Sequence, residues 1–136
     1  MNHCNRVSLP ENYSADFYSG FILNWPDLTF VAENAEGSLV AYCLGQIEEN
    51  SYSCSGFLTS IAVMPEYRKN GVGLQLTNQL HTNLRERYQA TSVSLHCRPS
   101  NLGAMKFYKS QLYEEKVYIP SYYIDGEAAW VLTKYL

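Results

Sequence analysis

The chain has 136 residues, 46% of them hydrophobic and 17% charged, and a formal net charge of −3. This length predicts a single domain over residues 1–136 that buries its own core, and the composition excludes an intrinsically disordered chain. The lack of a basic stripe or a high pI argues against nucleic-acid binding, and the lack of a long apolar run argues against a membrane span.

The first part of the chain predicts a helix and three strands. Ser14 can cap a helix that Pro26 ends. The runs LTFVAEN and SLVAYCLGQIEE are rich in strand-forming residues, and AEG (residues 35–37) between them predicts a hairpin turn. The polar run NSYSCS predicts a loop, which is followed by a strand over residues 56–64.

The second part of the chain predicts two helices and three strands. Leu76, Leu80 and Leu84 recur at helical spacing, so the helix should end near Tyr88. TSVSLHCR alternates as a strand, with one side formed by Val93, Leu95 and Cys97. NLGAMKFYKSQL predicts a second amphipathic helix, and EKVYIP and AAWVLTKYL predict the last strands. This order of elements predicts a mixed sheet with helices on its faces.

The four cysteines are widely spaced and include no C-x-x-C pair. This spacing argues against a zinc site and against a disulfide framework. Cys43 and Cys97 fall in apolar runs, which predicts buried free thiols and a reducing compartment. The N-terminal residues lack the apolar stretch of a signal peptide, so we expect a cytoplasmic protein.

The stretch PEYRKNGVGLQL joins a predicted strand to a predicted helix. Helix N-termini offer unpaired N–H groups and a partial positive charge, which together bind anions. Glycines let a phosphate approach the backbone, and two basic residues add full charges. The pattern R-x-x-G-x-G is neither a Rossmann fingerprint nor a P-loop. An ordinary basic loop is the alternative to a phosphate site formed by Arg68, Lys69, Asn70, Gly71, Val72 and Gly73.

The segment LTSIAVMPEYRKNGVGLQLTNQL resembles the acyl-CoA-binding motif of the GNAT acetyltransferases, and RPSNLGAMKFYKSQL resembles the N-x-x-A-x-x-x-Y segment of that family. The resemblance implies a GNAT fold of the α/β (α+β) class, with a mostly antiparallel sheet flanked by helices. It also implies acetyl-CoA as the cofactor, without a metal. The pantetheine arm would pair with Ile61, Ala62 and Val63, and further cofactor contacts would come from Asn101, Ala104 and Tyr108. In the family this tyrosine can protonate the departing thiolate.

LPENY, SLHCRPSN and YYIDGEAAWVL resemble the catalytic subunits of NatA N-terminal acetyltransferases and span nearly the whole chain. This resemblance implies acetyl transfer to the α-amino group of protein N-termini, by direct attack in a ternary complex. The NatB subunit shares the acyl-CoA segment, so a NatB-type enzyme is one alternative. Another is a GNAT enzyme that acts on lysine or small amines, and a third is a non-catalytic acyl-CoA-binding domain.

The chain departs from the family pattern in several places. The family begins with a strand before its first helix, whereas MNHCN already resembles the middle of that helix, so we expect a sheet that lacks this strand. Asn70 replaces an aliphatic residue of the loop, and Pro99 follows the arginine of HCR. Trp130 replaces a tyrosine, which bears on substrate selectivity rather than on the reaction.

The acceptor side needs a neutral α-amine, whose ordinary pKa is about 8, and a donor for the oxyanion. We expect that donor to be a backbone N–H of the strand at residues 61–63. The resemblance makes Glu11 a candidate base acting through water, or an anchor for the ammonium group; a solvated loop glutamate is the alternative. The intrinsic pKa of His96 suits a general base, although a structural histidine is equally compatible with the pattern.

Arg98 matches an arginine that orders the site in the family, and the neighbouring tyrosine pair matches residues over the substrate backbone. Tyrosine hydroxyls can bond the first carbonyl and amide of a peptide. The expected catalytic residues are therefore Glu11, His96, Arg98, Tyr108 and Tyr123. The residues expected to bind the peptide are Leu9, Pro10, Glu11, Tyr13, Tyr122 and Tyr123.

NatA catalytic subunits act with a large helical scaffold subunit at the ribosome, and the resemblance extends this expectation to the present chain. The partner would bind near FILNWP. Trp25 and its apolar neighbours are the candidate surface, with ordinary core packing as the simpler alternative.

Overall fold

One six-stranded sheet organises the protein, and the computed structural model describes residues 1–9, 13–50 and 52–136. The helices are α1 (Asn2–Ser8), α2 (Ala15–Asn24), α3 (Val72–Tyr88) and α4 (Leu102–Ser110). The strands are β1 (Thr29–Glu33), β2 (Leu39–Asn50), β3 (Ser53–Val63), β4 (Ser92–Cys97), β5 (Glu114–Ile119) and β6 (Ala129–Tyr135). Their spatial order is β1-β2-β3-β4-β6-β5. In the described part of the chain, β3 and β4 pair in parallel and the other neighbours are antiparallel.

Local sequence explains where the helices begin and end. The Ser14 side chain caps α2 by accepting a hydrogen bond from the Phe17 amide at 3.3 Å. Gly71 directly precedes α3 as its N-cap residue, with a φ of +78°, a left-handed conformation that glycine adopts without strain. The Asn101 side chain caps α4 by accepting from the Ala104 amide at 3.1 Å. The predicted helices and their order are confirmed, and no strand precedes α1 among the described residues.

The predicted loop over residues 50–55 is wrong in its extent. β2 continues to Asn50 and β3 already begins at Ser53, so these strands form a tight hairpin. The Asn50 side chain closes the turn by accepting from the amides of Tyr52 and Ser53 at 3.0 and 2.9 Å. Polar composition suggested a loop, but pairing with β2 extends the strand through these residues, because an exposed hairpin end tolerates polar side chains.

Apolar side chains pack on both faces of the sheet. On one face, α3 and α4 bury the leucines predicted from helical spacing, Leu76, Leu80 and Leu84, against a large core. On the other face, α1 and α2 cover a smaller cluster that includes Cys4 and Tyr42. Cys43 and Cys97 are buried free thiols, as predicted, and Cys4 is a buried free thiol as well. Among the described residues, no helix is both long and apolar enough to cross a membrane.

The sheet opens in its middle, between β3 and β4. β3 carries an extra residue at Thr59, because Leu44 pairs with Ser60 while the next β2 residue, Gly45, pairs with Leu58. Pairing of β3 with β4 is limited to two positions and ends at Phe57 and Ser94. Beyond this point the strands diverge, so that backbone groups of β3 face a gap instead of a neighbouring strand.

Candidate active site

A cleft of about 880 Å³ lies between the diverging strands β3 and β4. It passes from the β3–α3 loop, between β3 and the start of α4, to the loop that joins β5 and β6. Most of the residues predicted to bind cofactor or peptide line it. These are Leu9, Tyr13, Ile61, Ala62, Val63, Arg68, Lys69, Gly71, Val72, Gly73, His96, Arg98, Asn101, Ala104, Tyr108, Tyr122 and Tyr123. Pro10 and Glu11 lie outside the described residues.

The β3–α3 loop, where the sequence predicts an anion site, forms one end of the cleft. Arg68 donates from Nε to the Val63 carbonyl at 2.9 Å, which holds its guanidinium beside the end of β3. A Cβ built on Gly71 would meet nothing within 4 Å, while one on Gly73 would lie 3.3 Å from the Phe107 ring. The loop therefore leaves backbone amides at the α3 N-terminus open to a ligand, and this arrangement fits a pyrophosphate.

Asn70 is the loop residue that the structure places away from the cleft. Its side chain donates from Nδ2 to the Arg68 carbonyl at 3.2 Å, and it is absent from the cleft lining. The cofactor contact expected from Asn70 stays a prediction, and within the described residues its side chain is used in the loop itself. The substitution of an aliphatic residue by Asn70 is accommodated by a local hydrogen bond that supports the turn.

Tyr108 lines the cleft and is almost fully buried. Burial, reinforced by neighbours such as Cys97 and Tyr113, raises the pKa of its hydroxyl well above the usual value. The phenol therefore remains protonated and is available as a hydrogen-bond donor. A thiol has an ordinary pKa near 8.5, so a phenol this weak stabilises a thiolate by donating a hydrogen bond more readily than by giving up its proton.

His96 stands at the acceptor end, on the face of the sheet that α1 and α2 leave uncovered. Its ring stacks on Tyr122, with centroids 4.5 Å apart, and shares a 3.2 Å hydrogen bond between Nδ1 and the Tyr122 hydroxyl. The Phe57 ring also contacts the imidazole, in a tilted arrangement with centroids 5.1 Å apart. Burial lowers the pKa of His96, an effect that Glu48 opposes. The imidazole is therefore neutral at pH 7 and can accept a proton.

Arg98 lies next to the acceptor end, with its guanidinium bound by carboxylates. Nη1 donates to Asp125 Oδ2 at 2.8 Å and to Glu127 Oε1 at 3.0 Å. The guanidinium carbon lies 3.8 Å from the centroid of the Tyr123 ring. These contacts attach Arg98 to the β5–β6 loop through Nη1 and through the Tyr123 ring, and the catalytic role expected for Arg98 stays a prediction.

Sequence reasoning missed several polar residues around the cleft. Glu127 and Ser100 complete the contacts of Arg98, and Ser60 lines the cleft and lies 2.8 Å from the hydroxyl of buried Tyr42. Asn5 donates to the same tyrosine at 2.9 Å. The available signal was the acidic pair in IDGE, close in sequence to two tyrosines, but its pairing with Arg98 joins residues 27 and 29 positions apart.

Comparisons with known proteins agree on one family. Residues 2–112 match the Acetyltransferase (GNAT) family. The N-terminal acetyltransferase A complex catalytic subunit NAA10 of Arabidopsis thaliana is 40% identical over 137 residues, a match that covers 100% of this chain and 71% of that protein. The N-alpha-acetyltransferase daf-31 of Caenorhabditis elegans is 38% identical, covering 98% and 75%. Naa20 of Chaetomium thermophilum, solved in complex with a bisubstrate analogue, superposes with a TM-score of 0.89 at 30% identity, covering 98% of this chain and 78% of that one.

Proposed function

Because the chain belongs to the GNAT acetyltransferase family, and within it to the catalytic subunits of N-alpha-acetyltransferases, we propose that it acetylates the α-amino group of protein N-termini. The observation that carries this proposal is the cleft at the β3–β4 divergence. It joins an anion cradle at Gly71 and Gly73 to a neutral histidine and a tyrosine pair at the opposite end. Both ends open onto the same strand, so a thioester and an amine can meet beside β3.

The cofactor side of the cleft holds acetyl-CoA, which supplies the acetyl group as a thioester. The α3 N-terminus and the side chains of Arg68 and Lys69 bind the pyrophosphate through charge and backbone N–H groups. The edge of β3 at residues 61–63 pairs with the pantetheine amides, since β4 has moved away from it. Tyr108 donates a hydrogen bond towards the position of the leaving sulfur.

The acceptor side binds the peptide N-terminus and takes up its proton. Neutral His96 is a base within the described residues, and Glu11 is the second candidate. Tyr122 and Tyr123 bond the first peptide groups of the substrate, while Leu9 and Tyr13 line the opposite wall. A free α-amine has a pKa near 8, so modest base assistance is enough for direct attack on the thioester.

The substrate class follows from the relatives. Identity of 40% to a NatA catalytic subunit over the full chain supports NatA-type selectivity, in which first residues are small or acidic. A NatB-type preference, or selectivity for lysine side chains and small amines, would place the chain elsewhere in the family.

The partners and the location are part of the same proposal. The protein acts in the cytoplasm, with a large helical auxiliary subunit that positions it at the ribosome. Ile22 and Leu23 on α2 support this interface, because 47% and 80% of their surfaces are exposed. Trp25 packs against Tyr88 and joins both cores, so it belongs to the core rather than to this surface. Co-purification with and without L23D tests the interface.

The reaction is tested by release of free CoA thiol from acetyl-CoA with a panel of peptides. The peptides in the panel begin with Ser, Ala, Glu, Met-Asp or an acetylated Ser. One further peptide has a blocked N-terminus and offers only a lysine amine. We expect turnover with Ser, Ala or Glu and none with the blocked peptide. Preference for Met-Asp would indicate NatB-type selectivity. The proposal would be overturned if the peptide that offers only a lysine amine were acetylated as fast as the peptides with a free Ser, Ala or Glu. Binding of CoA without turnover of any peptide would also overturn it.

A further inference from the structure

The Glu127 carboxylate ties the β5–β6 loop to the connection between β4 and α4, and it binds both Arg98 and Ser100, whereas Asp125 of the same loop binds Arg98. Glu127 Oε1 accepts from Arg98 Nη1 at 3.0 Å and from Ser100 Oγ at 2.9 Å. Its Oε2 accepts from the Ser100 backbone amide at 3.0 Å. Both carboxylate oxygens are thus used, and the donors lie just before Asn101, the cap of the cofactor-side helix α4.

The loop itself is closed by its own backbone. The Tyr123 amide donates to the Glu127 carbonyl at 3.0 Å, and the Gly126 amide donates to the Tyr123 carbonyl at 2.9 Å. Asp125 contributes through Oδ1, which accepts from the Glu127 amide at 3.1 Å, and through Oδ2, which binds Arg98. Residues 123–127 therefore form a compact turn, which Asp125 attaches to Arg98 and which Glu127 attaches to both Arg98 and Ser100.

Arg98 links the Glu127 carboxylate to Tyr123, the tyrosine proposed to contact the peptide. Its side chain is only 16% exposed, and its guanidinium lies over the Tyr123 ring at 3.8 Å. Tyr123 in turn contacts Tyr122, which stacks on His96. The hydrogen bonds from Ser100, followed by that from Arg98, lower the pKa of Glu127. The carboxylate is therefore charged at neutral pH and fully able to accept.

We propose that Glu127 is a positioning residue for peptide acetylation, holding Tyr122 and Tyr123 at a fixed place beside the cleft through Ser100 and Arg98. This inference rests on the proposed function. The β5–β6 loop, on the peptide side of the cleft, is thereby fixed to the β4–α4 connection, and α4 on the cofactor side starts from the same connection. If the loop were released from that connection, the protein would still bind acetyl-CoA but would orient the peptide poorly.

The test compares E127Q with E127D and with a matched control, E115Q. Glutamine keeps the size of the side chain but replaces one acceptor oxygen by an NH₂ group. At least one of the groups on Arg98 and Ser100 that now donate to Glu127 would then face a second donor. Aspartate keeps the charge and both oxygens. Glu115 also binds a cation, Lys109 at 2.7 Å, but lies on β5 away from the cleft lining.

We expect E127Q to lose roughly ten- to a hundredfold in kcat/KM for the peptide, mainly through a higher peptide KM. The KM for acetyl-CoA should change by less than about twofold, since the cofactor residues keep their contacts. E127D should recover part of the loss, and E115Q should behave as the wild type. An unchanged peptide kcat/KM in E127Q, or an equal rise in both KM values, would overturn the inference.

Hydrogen exchange gives a readout that does not depend on turnover. In E127Q the amides of Tyr123 and Gly126 should exchange faster, while those of α3 keep the wild-type protection. Equal protection of the loop in both proteins would show that Glu127 does not hold it. If the wild-type protein acetylates none of the peptides, the proposed function fails, and the exchange comparison still decides whether Glu127 holds the loop.

Discussion

The two ends of the cleft are constructed in different ways. The cofactor end comes from one continuous segment, in which a strand, a glycine loop and a helix follow each other over residues 61–73. The proposed binding groups there are mostly backbone amides, and its left-handed residues are Lys69 and Gly71, with φ values of +64° and +78°. Such a site is local, because the chain needs no distant contact to form it.

The acceptor end comes from side chains on separate elements. His96 is on β4, Tyr122 and Tyr123 are on the β5–β6 loop, and Leu9 and Tyr13 flank the segment between α1 and α2. Their orientation depends on ring stacking and on the contacts of Arg98. For the proposed function, this difference means that phosphate recognition is encoded locally in the sequence, whereas recognition of the amine requires the completed sheet.

The largest effect expected is from G73D, which places a negative charge at the anion cradle. Aspartate is favourable in the first turn of a helix, so α3 should remain folded. Affinity for acetyl-CoA should fall more than about a hundredfold, through charge repulsion at a site that binds phosphates. Calorimetric titration with CoA measures it. G73A, which adds only a Cβ near Phe107, is the control and should lose much less; equal losses would show that sterics, not charge, dominate.

Y108F tests the junction of the two ends, where the hydroxyl is proposed to stabilise the leaving thiolate. Turnover should fall roughly ten- to a hundredfold while CoA affinity is retained, because only a donor is removed. Steady-state kinetics with a Ser-initiated peptide supplies the measurement. Y113F is the matched control, since that buried hydroxyl bonds His81 at 2.7 Å and lies outside the cleft lining. Wild-type kcat in Y108F would remove this tyrosine from the chemistry.

Y122F affects the acceptor end alone. It removes the hydroxyl that bonds His96 but keeps the stacked ring. Since a single hydrogen bond contributes about 1 kcal/mol, kcat/KM for the peptide should fall about three- to tenfold. The KM for acetyl-CoA should not change. Y118F, on the exposed face of β5 against Trp130, should leave both constants as they are. A larger effect on acetyl-CoA than on peptide would contradict the division of the cleft.

His81 tests the scaffold below both ends and should have the smallest effect on turnover at neutral pH. Burial lowers its pKa from 6.5 to about 4, so the unfolded state binds more protons between these values. Stability should therefore fall as the pH drops from 6.5 to 4, by about 3 kcal/mol at most from this group. Urea unfolding at several pH values measures this slope. H81Q should flatten it and H3Q, at an exposed site, should not; equal slopes in all three proteins would contradict the assignment.

The contrast between the ends also explains what the sequence alone could predict. The periodicity of Leu76, Leu80 and Leu84 and the position of Gly71 and Gly73 are local signals, and α3 and the glycine loop before it lie where these signals predict them. The ends of β2 and β3 at their hairpin were predicted wrongly. The polar residues there are held in strands by backbone pairing with each other and not by burial in a core.

The acceptor end was predictable only through the family resemblance. No periodicity predicts that Arg98 binds carboxylates 27 and 29 residues later, or that the guanidinium packs on Tyr123. The bulge at Thr59 is equally invisible, since its sequence alternates like any strand. Such features depend on the register between strands, which is set when the whole sheet forms.

The central claim is that the amine meeting the thioester beside β3 is a peptide α-amine. The most direct measurement offers one peptide with a free N-terminal Ser and one internal Lys to the wild-type protein and acetyl-CoA. Tandem mass spectrometry then locates the added acetyl group. We predict a single acetyl group on the N-terminal nitrogen, with the lysine unmodified. Acetylation of the lysine in preference to the N-terminus would contradict the account.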